Sequence, residues 1–243
     1  MSTTYGLGGI TYDFGDGPVP AHRHHNGGGW VADTATVADT VWVRSDARVY
    51  GNAKVSGNAK VFGAQVFGGA KVSDNAKVFG SAKVYGGAKV SGNAQVCGRA
   101  QVYGDAKVSG HTKVYGDATI YCDARVYGDA KIYDGAQVYS NAKVFGNAEV
   151  YGNAEVYGDT KVYGDAKVFS NTKICGNAQV YGNARVFGAQ VCGNAWVCGD
   201  AEVCGDAEVC GDALVTRGRI ESGVHKKQPA ACRDALRQPQ DEG

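Results

Sequence analysis

An aliphatic residue returns every six positions through most of this chain: at Val31, Val37, Val43, Val49, Val55 and Val61, then from Val66 to Val186, then from Val191 to Val215. Only Ile120, Ile132 and Ile174 vary the theme. This spacing leaves few local structures open. A helix needs apolar residues three and four apart, and each glycine punctuating the repeat would cost it about 1 kcal/mol. A unit such as Ala106-Lys107-Val108-Ser109-Gly110 instead alternates small apolar, polar, apolar, polar before its turn. That is strand periodicity, with Ala and Val inward and the residues between them outward. The two-residue corners, such as Gly104-Asp105 and Gly152-Asn153, hold the residue types that tolerate left-handed backbone angles. The chain is therefore predicted to run strand, corner, strand, corner.

Outward residues on neighbouring coils should match if they stack, so the sequence itself tests the number of rungs per coil. Eighteen residues, or three rungs, satisfies it. Ser73, Ser91 and Ser109 are that far apart, and Ser56 joins them once the one-residue deletion at Gly63-Ala64 is allowed for. Phe67, Tyr85, Tyr103, Tyr121, Tyr139 and Tyr157 make a second column, and Lys71, Lys89, Lys107, Arg125, Lys143 and Lys161, preceded by Lys54, a third. Five-residue spacing occurs only at Val61 to Val66 and Val186 to Val191, which excludes a quadrilateral coil of five-residue rungs. Strands ~4.8 Å apart, at one per coil and about ten coils, give a rod roughly 50 Å long. Composition agrees: with one Met and seven Phe in 243 residues, the core has to be a thin one of Val and Ala, extended lengthwise.

Units such as Val102-Tyr103-Gly104-Asp105-Ala106-Lys107 resemble the bacterial hexapeptide-repeat superfamily, with its aliphatic residue, turn residues and small residue at the fifth place. The resemblance covers about residues 31–215. The Tyr or Phe after the aliphatic residue departs from the family, which often has Gly, Ala or an acid there. The opening Gly28-Gly29-Trp30-Val31, with Trp42-Val43 and Asp46-Ala47, also looks like uncharacterised hexapeptide proteins labelled as transferases. The resemblance implies an all-β fold, the single-stranded left-handed parallel β-helix of triangular section. Handedness rests on it alone, because the general rule for parallel crossovers gives the opposite sense.

Three segments are expected: an N-terminal cap over 1–29, the β-helix over 30–216, and a polar C-terminal tail over 217–243 that abandons the repeat. Ile10 to Phe14 reads as a cap strand and Gly15-Asp16-Gly17-Pro18 as a turn. Pro229 to Arg237 reads as a short helix, and the tail through Leu236 is expected to lie over Trp196 and Leu214, a dimer contact there being the competing account. Lys+Arg 25 against Asp+Glu 24 argues against a partner recognised by bulk charge, including sequence-specific nucleic acid. The first residues have neither a basic region nor a long apolar stretch, so a cytoplasmic protein with no membrane partner is expected, its cysteines reduced.

The family's acyltransferases are usually trimers with a histidine base between subunits, often beside a protruding loop. His111 is the one histidine inside the repeat here; the 18-residue rule stacks it between Asn93 and Asp129, with Ser109 two residues before it. A carboxylate beside the imidazole would raise its basicity; the plainer account is a corner residue in an Asn-like place. No insertion interrupts Val66 to Val186 to shape an acceptor pocket. No metal is expected: His22, His24 and His25 read as a surface cluster, although His22 and His24 would share one side of a strand. Of the cysteines near the end, Cys175, Cys192 and Cys210 share a column and read as free thiols replacing Tyr.

Three functions follow. The first is a non-catalytic scaffold or binding rod without cofactor, as a homotrimer or homodimer. The second is an acyltransferase-like enzyme at a subunit interface with a coenzyme A-type donor, using His111, Asp129 and Ser109. The third is a binder of an anionic polymer or glycan along Lys71, Lys89, Lys107, Arg125, Lys143 and Lys161 and the aromatic columns beside them, corner acids such as Asp105 and Asp129 otherwise screening the cations.

Overall fold

In the computed structural model, which describes residues 4–6 and 9–226, Trp30 begins a run of short strands of two or three residues each. Every strand pairs with the third one after it. Lys71 faces Lys89, Lys89 faces Lys107, and the valines that follow them pair likewise. Three rungs thus make one coil, and the chain is a parallel β-solenoid of about eleven coils resembling the left-handed β-helix. Its three faces are sheets of 15, 11 and 11 strands, the first enlarged by the N-terminal strands.

The reason is the repeat itself. The Ala and Val of each rung point inward, and from Val41 to Val186 almost all are fully inaccessible. Each buried Val is worth roughly 1.5–3 kcal/mol. Because one valine stacks on the next, the burial of each depends on the rungs above and below. Of the two corner residues, which were expected to tolerate left-handed angles, only the first adopts them. Gly104, at φ 68°, is typical; Asp105 after it is not among the positive-φ residues. Five such first places hold Asp74, Cys122, Asp134, Ser140 and Ser170 instead of glycine, with φ near +60°.

At the N-terminal end, β1 (Thr4–Gly6), β2 (Gly9–Asp13) and β3 (Pro18–Arg23) form an antiparallel meander, and β3 pairs antiparallel with the first rung, β4 (Trp30–Ala32). Tyr12 stacks on Trp30 at 4.4 Å between ring centres, and Phe14 on Tyr50 at 4.8 Å. The meander covers only the first sheet, so the other two begin at Thr36–Val37 and at Trp42–Val43, where Trp42 is 47% exposed.

The stack outlasts the six-residue spacing. Arg219–Ile220 pairs with Glu202–Val203 and Val224–His225 with Glu208–Val209, so two strands lie beyond 216, where a tail was expected to begin. The places in register with the inward valines fall at Val215, Ile220 and His225, five residues apart; the last is not aliphatic and is exposed. The helix expected over Pro229–Arg237, and the contact of Leu236 with Trp196 and Leu214, lie outside the described residues.

Candidate functional site

The residues that carry chemistry stand on the outside of the coil, in rows fixed by register. At each corner the residue after the inward Val forms a ladder. On the first, rings from Tyr50 through Phe67, Tyr85, Tyr103, Tyr121 and Tyr139 to Tyr157 stack nearly parallel at 4.8 to 5.1 Å. The second runs Ser56, Ser73, Ser91, Ser109 and then Tyr127, Phe145, Tyr163 and Tyr181. The third includes Tyr115, Tyr133, Tyr151, Phe169 and Phe187. Several hydroxyls donate to the outward side chain of the next coil, as Tyr85 does to Gln101 at 3.2 Å and Tyr139 to Glu155 at 3.4 Å. Burial pushes these phenols up, and the Glu155 carboxylate helps raise Tyr139 to about 12.

His111 stands where the repeat puts it, but its environment is that of a ladder residue. Asn58, Asn75 and Asn93 precede it in the same column, their amides linked at 3.4 and 3.2 Å. The Asn93 amide then donates to Nε2 of His111 at 3.1 Å, which leaves the imidazole proton on Nδ1, 3.8 Å from Asp129. The ladder resumes with Asn147 donating to Asp165 at 2.9 Å and Asn183 to Asp200 at 2.9 Å. A general base needs a free lone pair. The one on Nε2 is taken, and both His111 and Asp129 are 67% exposed at the side chain. The Ser109 carbonyl accepts from the hydroxyl of the buried Thr112 at 2.6 Å.

The lysine row is in register along its whole length, from Lys54 through Lys71, Lys89, Lys107, Arg125 and Lys143 to Lys161. It then passes to Gln179, Trp196 and Leu214. The third face handles charge differently. There Lys131 is 2.8 Å from Glu149, which also lies 3.9 Å from Lys167, and Glu202 sits between Arg185 and Arg219 at 3.8 and 3.5 Å. No carboxylate interrupts the seven cations of the second face. Asp105 and Asp123 line one edge of it, with Lys89, Lys107 and Arg125, in an open groove of about 210 Å³. Asp129, expected to screen the row, stands on the opposite edge beside His111.

The three N-terminal histidines part company. His22 on β3 is exposed, its Nδ1 2.8 Å from Asp33, and His25 lies 3.9 Å from Asp39. His24 follows the end of the strand and turns inward, so it does not share a side with His22. It is 4% exposed, donates through Nδ1 to the Asn26 carbonyl at 3.3 Å, and its Nε2 has no partner among the described residues. The acids are distant in sequence, which is why the linear reading found none. Glu208 was missed for the same reason: it lies 4.0 Å from the Cys192 thiol only because one coil separates them.

The YdcK Beta solenoid repeat family matches residues 178–191 of the chain. No curated protein matches it. Among solved structures it is similar to the UDP-N-acetylglucosamine acyltransferase from Campylobacter jejuni, with 19% identity over 69% of this chain and 64% of that one, at a TM-score of 0.43. The chain thus spans less than two thirds of that enzyme's length. The UDP-N-acetylglucosamine O-acyltransferase (LpxA) from Moraxella catarrhalis RH4 is also similar, with 13% identity over 70% of this chain and 68% of that one, at a TM-score of 0.36.

Proposed function

We propose that this chain is a non-catalytic β-helical scaffold, a binding rod whose outer rows present the same side chain at each coil. The observation that carries the reading is the Asn–His–Asp ladder through Asn93, His111 and Asp129. The residue best placed to act as a base is built into the corner, and its free edge is in solvent. Turnover decides the matter. Native mass spectrometry and an acyl-transfer assay with acetyl-coenzyme A should find no retained coenzyme and no turnover. A trimer that binds coenzyme A and loses turnover on His111→Ala would replace the scaffold with the acyltransferase.

The uninterrupted cations of the second face favour a second reading, in which the rod binds an anionic polymer or glycan lengthwise. Cations held one strand spacing apart repel one another, and a polyanion lying along them relieves this while releasing its own counterions. With heparin as probe, binding should weaken steeply with salt, and the double variant Lys89→Glu, Lys107→Glu should lose most of it. Affinity indifferent to both would exclude this reading and leave the scaffold standing.

A further inference from the structure

On the first corner the aromatic ladder stops before the coil does. Tyr157 is followed in the column by Cys175, Cys192 and Cys210, each placed after an inward Ile or Val. The exchange changes what the ladder can bind. Where Tyr85 reaches the Gln101 side chain, Cys192 reaches Glu208, and a third ligand stands beside them: the thiol sulfurs of Cys192 and Cys210 and a Glu208 oxygen all lie within 4.8 Å of one another.

We propose that Cys192, Cys210 and Glu208 form a binding site for a thiophilic divalent cation, Zn²⁺, with its fourth position open to water. Bonds to zinc run about 2.3 Å from thiolate and about 2.0–2.2 Å from carboxylate. Two sulfurs on one tetrahedral ion are therefore about 3.8 Å apart, and two on opposite sides of an ion no more than about 4.6 Å. The observed cluster needs only small side-chain rotations to close on an ion. Its backbone needs none, because the three residues sit on two paired rungs, with Gln190 against Glu208 and Val191 against Val209.

The same register disfavours the obvious rival, a disulfide. In-register side chains on parallel strands point the same way and stay ~4.8 Å apart, whereas bridged cysteines hold their Cβ atoms about 3.8 Å apart. An ion spans the wider gap. Sulfur donors exclude Ca²⁺ and Mg²⁺, which take oxygen ligands. Cys175 lies on the far side of Cys192 from Cys210, two coils away, and shares a hydrogen bond with Tyr157. It belongs to the end of the aromatic ladder.

Both thiols must ionise, so each ion bound displaces two protons to solvent. Because thiolates rather than thiols are the ligands, this proton release is a readout of binding through sulfur. The reduced, metal-free full chain should be titrated with Zn²⁺ by calorimetry in two buffers of different ionisation enthalpy, and with Co²⁺ by its thiolate charge-transfer absorption. One ion per chain is expected, with two protons released.

Cys192→Ser, Cys210→Ser and Glu208→Ala should each weaken binding by more than the roughly 10–100-fold that loss of an outer-shell partner costs. Cys97→Ser and Cys122→Ser, on other parts of the coil, should change nothing. Circular dichroism of each variant separates a lost ligand from a lost fold. Absence of stoichiometric binding, or binding that survives in both folded Cys192 and Cys210 variants, would overturn the site.

Discussion

The side-chain amide of Asn93 donates to Nε2 of His111 across one coil, at 3.1 Å. An asparagine at 111 could take the same bond through its carbonyl oxygen and offer its amide to Asp129, as Asn141 offers its own to Asp159 at 2.8 Å. His111→Asn should therefore leave stability within about 0.5 kcal/mol of the parent, the range of ordinary surface changes. Thermal and urea unfolding check this. A loss well beyond that range would mean that His111 does something the corner alone does not require.

The left-handed corner yields a paired prediction. At Ser140, φ is 59°, in a region that costs an L-residue roughly 1–2 kcal/mol. Ser140→Gly should raise stability by about 1 kcal/mol, the gain in angle being partly offset by added freedom in the unfolded chain. Gly110→Ala should do the reverse and more. There φ is 72°, and a Cβ would stand 2.7 Å from the carbonyl oxygen of Gly128 on the next coil. A loss of about 2 kcal/mol is expected, read as a shift in the urea midpoint.

The core of the rod was readable because it is a column: once eighteen residues close a coil, Val72, Val90 and Val108 must stack, whatever lies outside them. The same arithmetic put His111 between Asn93 and Asp129. It could not say that Asn93 occupies the one lone pair a base would use, since that depends on side-chain rotation. Nor could it bring His22 to Asp33, because the meander that joins them is antiparallel and not part of the repeat. The last two rungs escaped because pairing continued after the spacing fell to five and an exposed histidine stood in register with the inward Val209.

Thr160 and Thr172 both occupy inward places that elsewhere hold Ala, and both are fully buried. Their hydroxyls fare differently. That of Thr172 donates to the Phe169 carbonyl at 2.6 Å, with the Val186 carbonyl 3.2 Å away, whereas that of Thr160 has no partner among the described residues. Valine keeps the shape and removes the polar atom. Thr160→Val should stabilise the fold by about 1 kcal/mol and Thr172→Val destabilise it by about the same, since an unpaired buried hydroxyl is a cost and a paired one a gain. Equal shifts in the same direction in urea unfolding would show that both hydroxyls see the same environment.

Tyr139 links the ladder to alkaline stability. Its phenol is raised from 10.0 to about 12, first by burial between stacked rings, then by the Glu155 carboxylate and by Tyr121 and Tyr157. The neutral phenol is the form the folded state favours. Its contribution is therefore complete below pH 10, the ordinary value, and is lost as pH rises through the folded value near 12. Tyrosinate absorbance should show Tyr139 ionising well after free tyrosine, identified by its loss in Tyr139→Phe. Glu155→Gln removes the second cause and should bring that step to lower pH while the first, burial, keeps it above 10. If Glu155→Gln left the titration unmoved, the hydroxyl would not be facing the carboxylate one coil away, and the 18-residue register would be wrong at that corner.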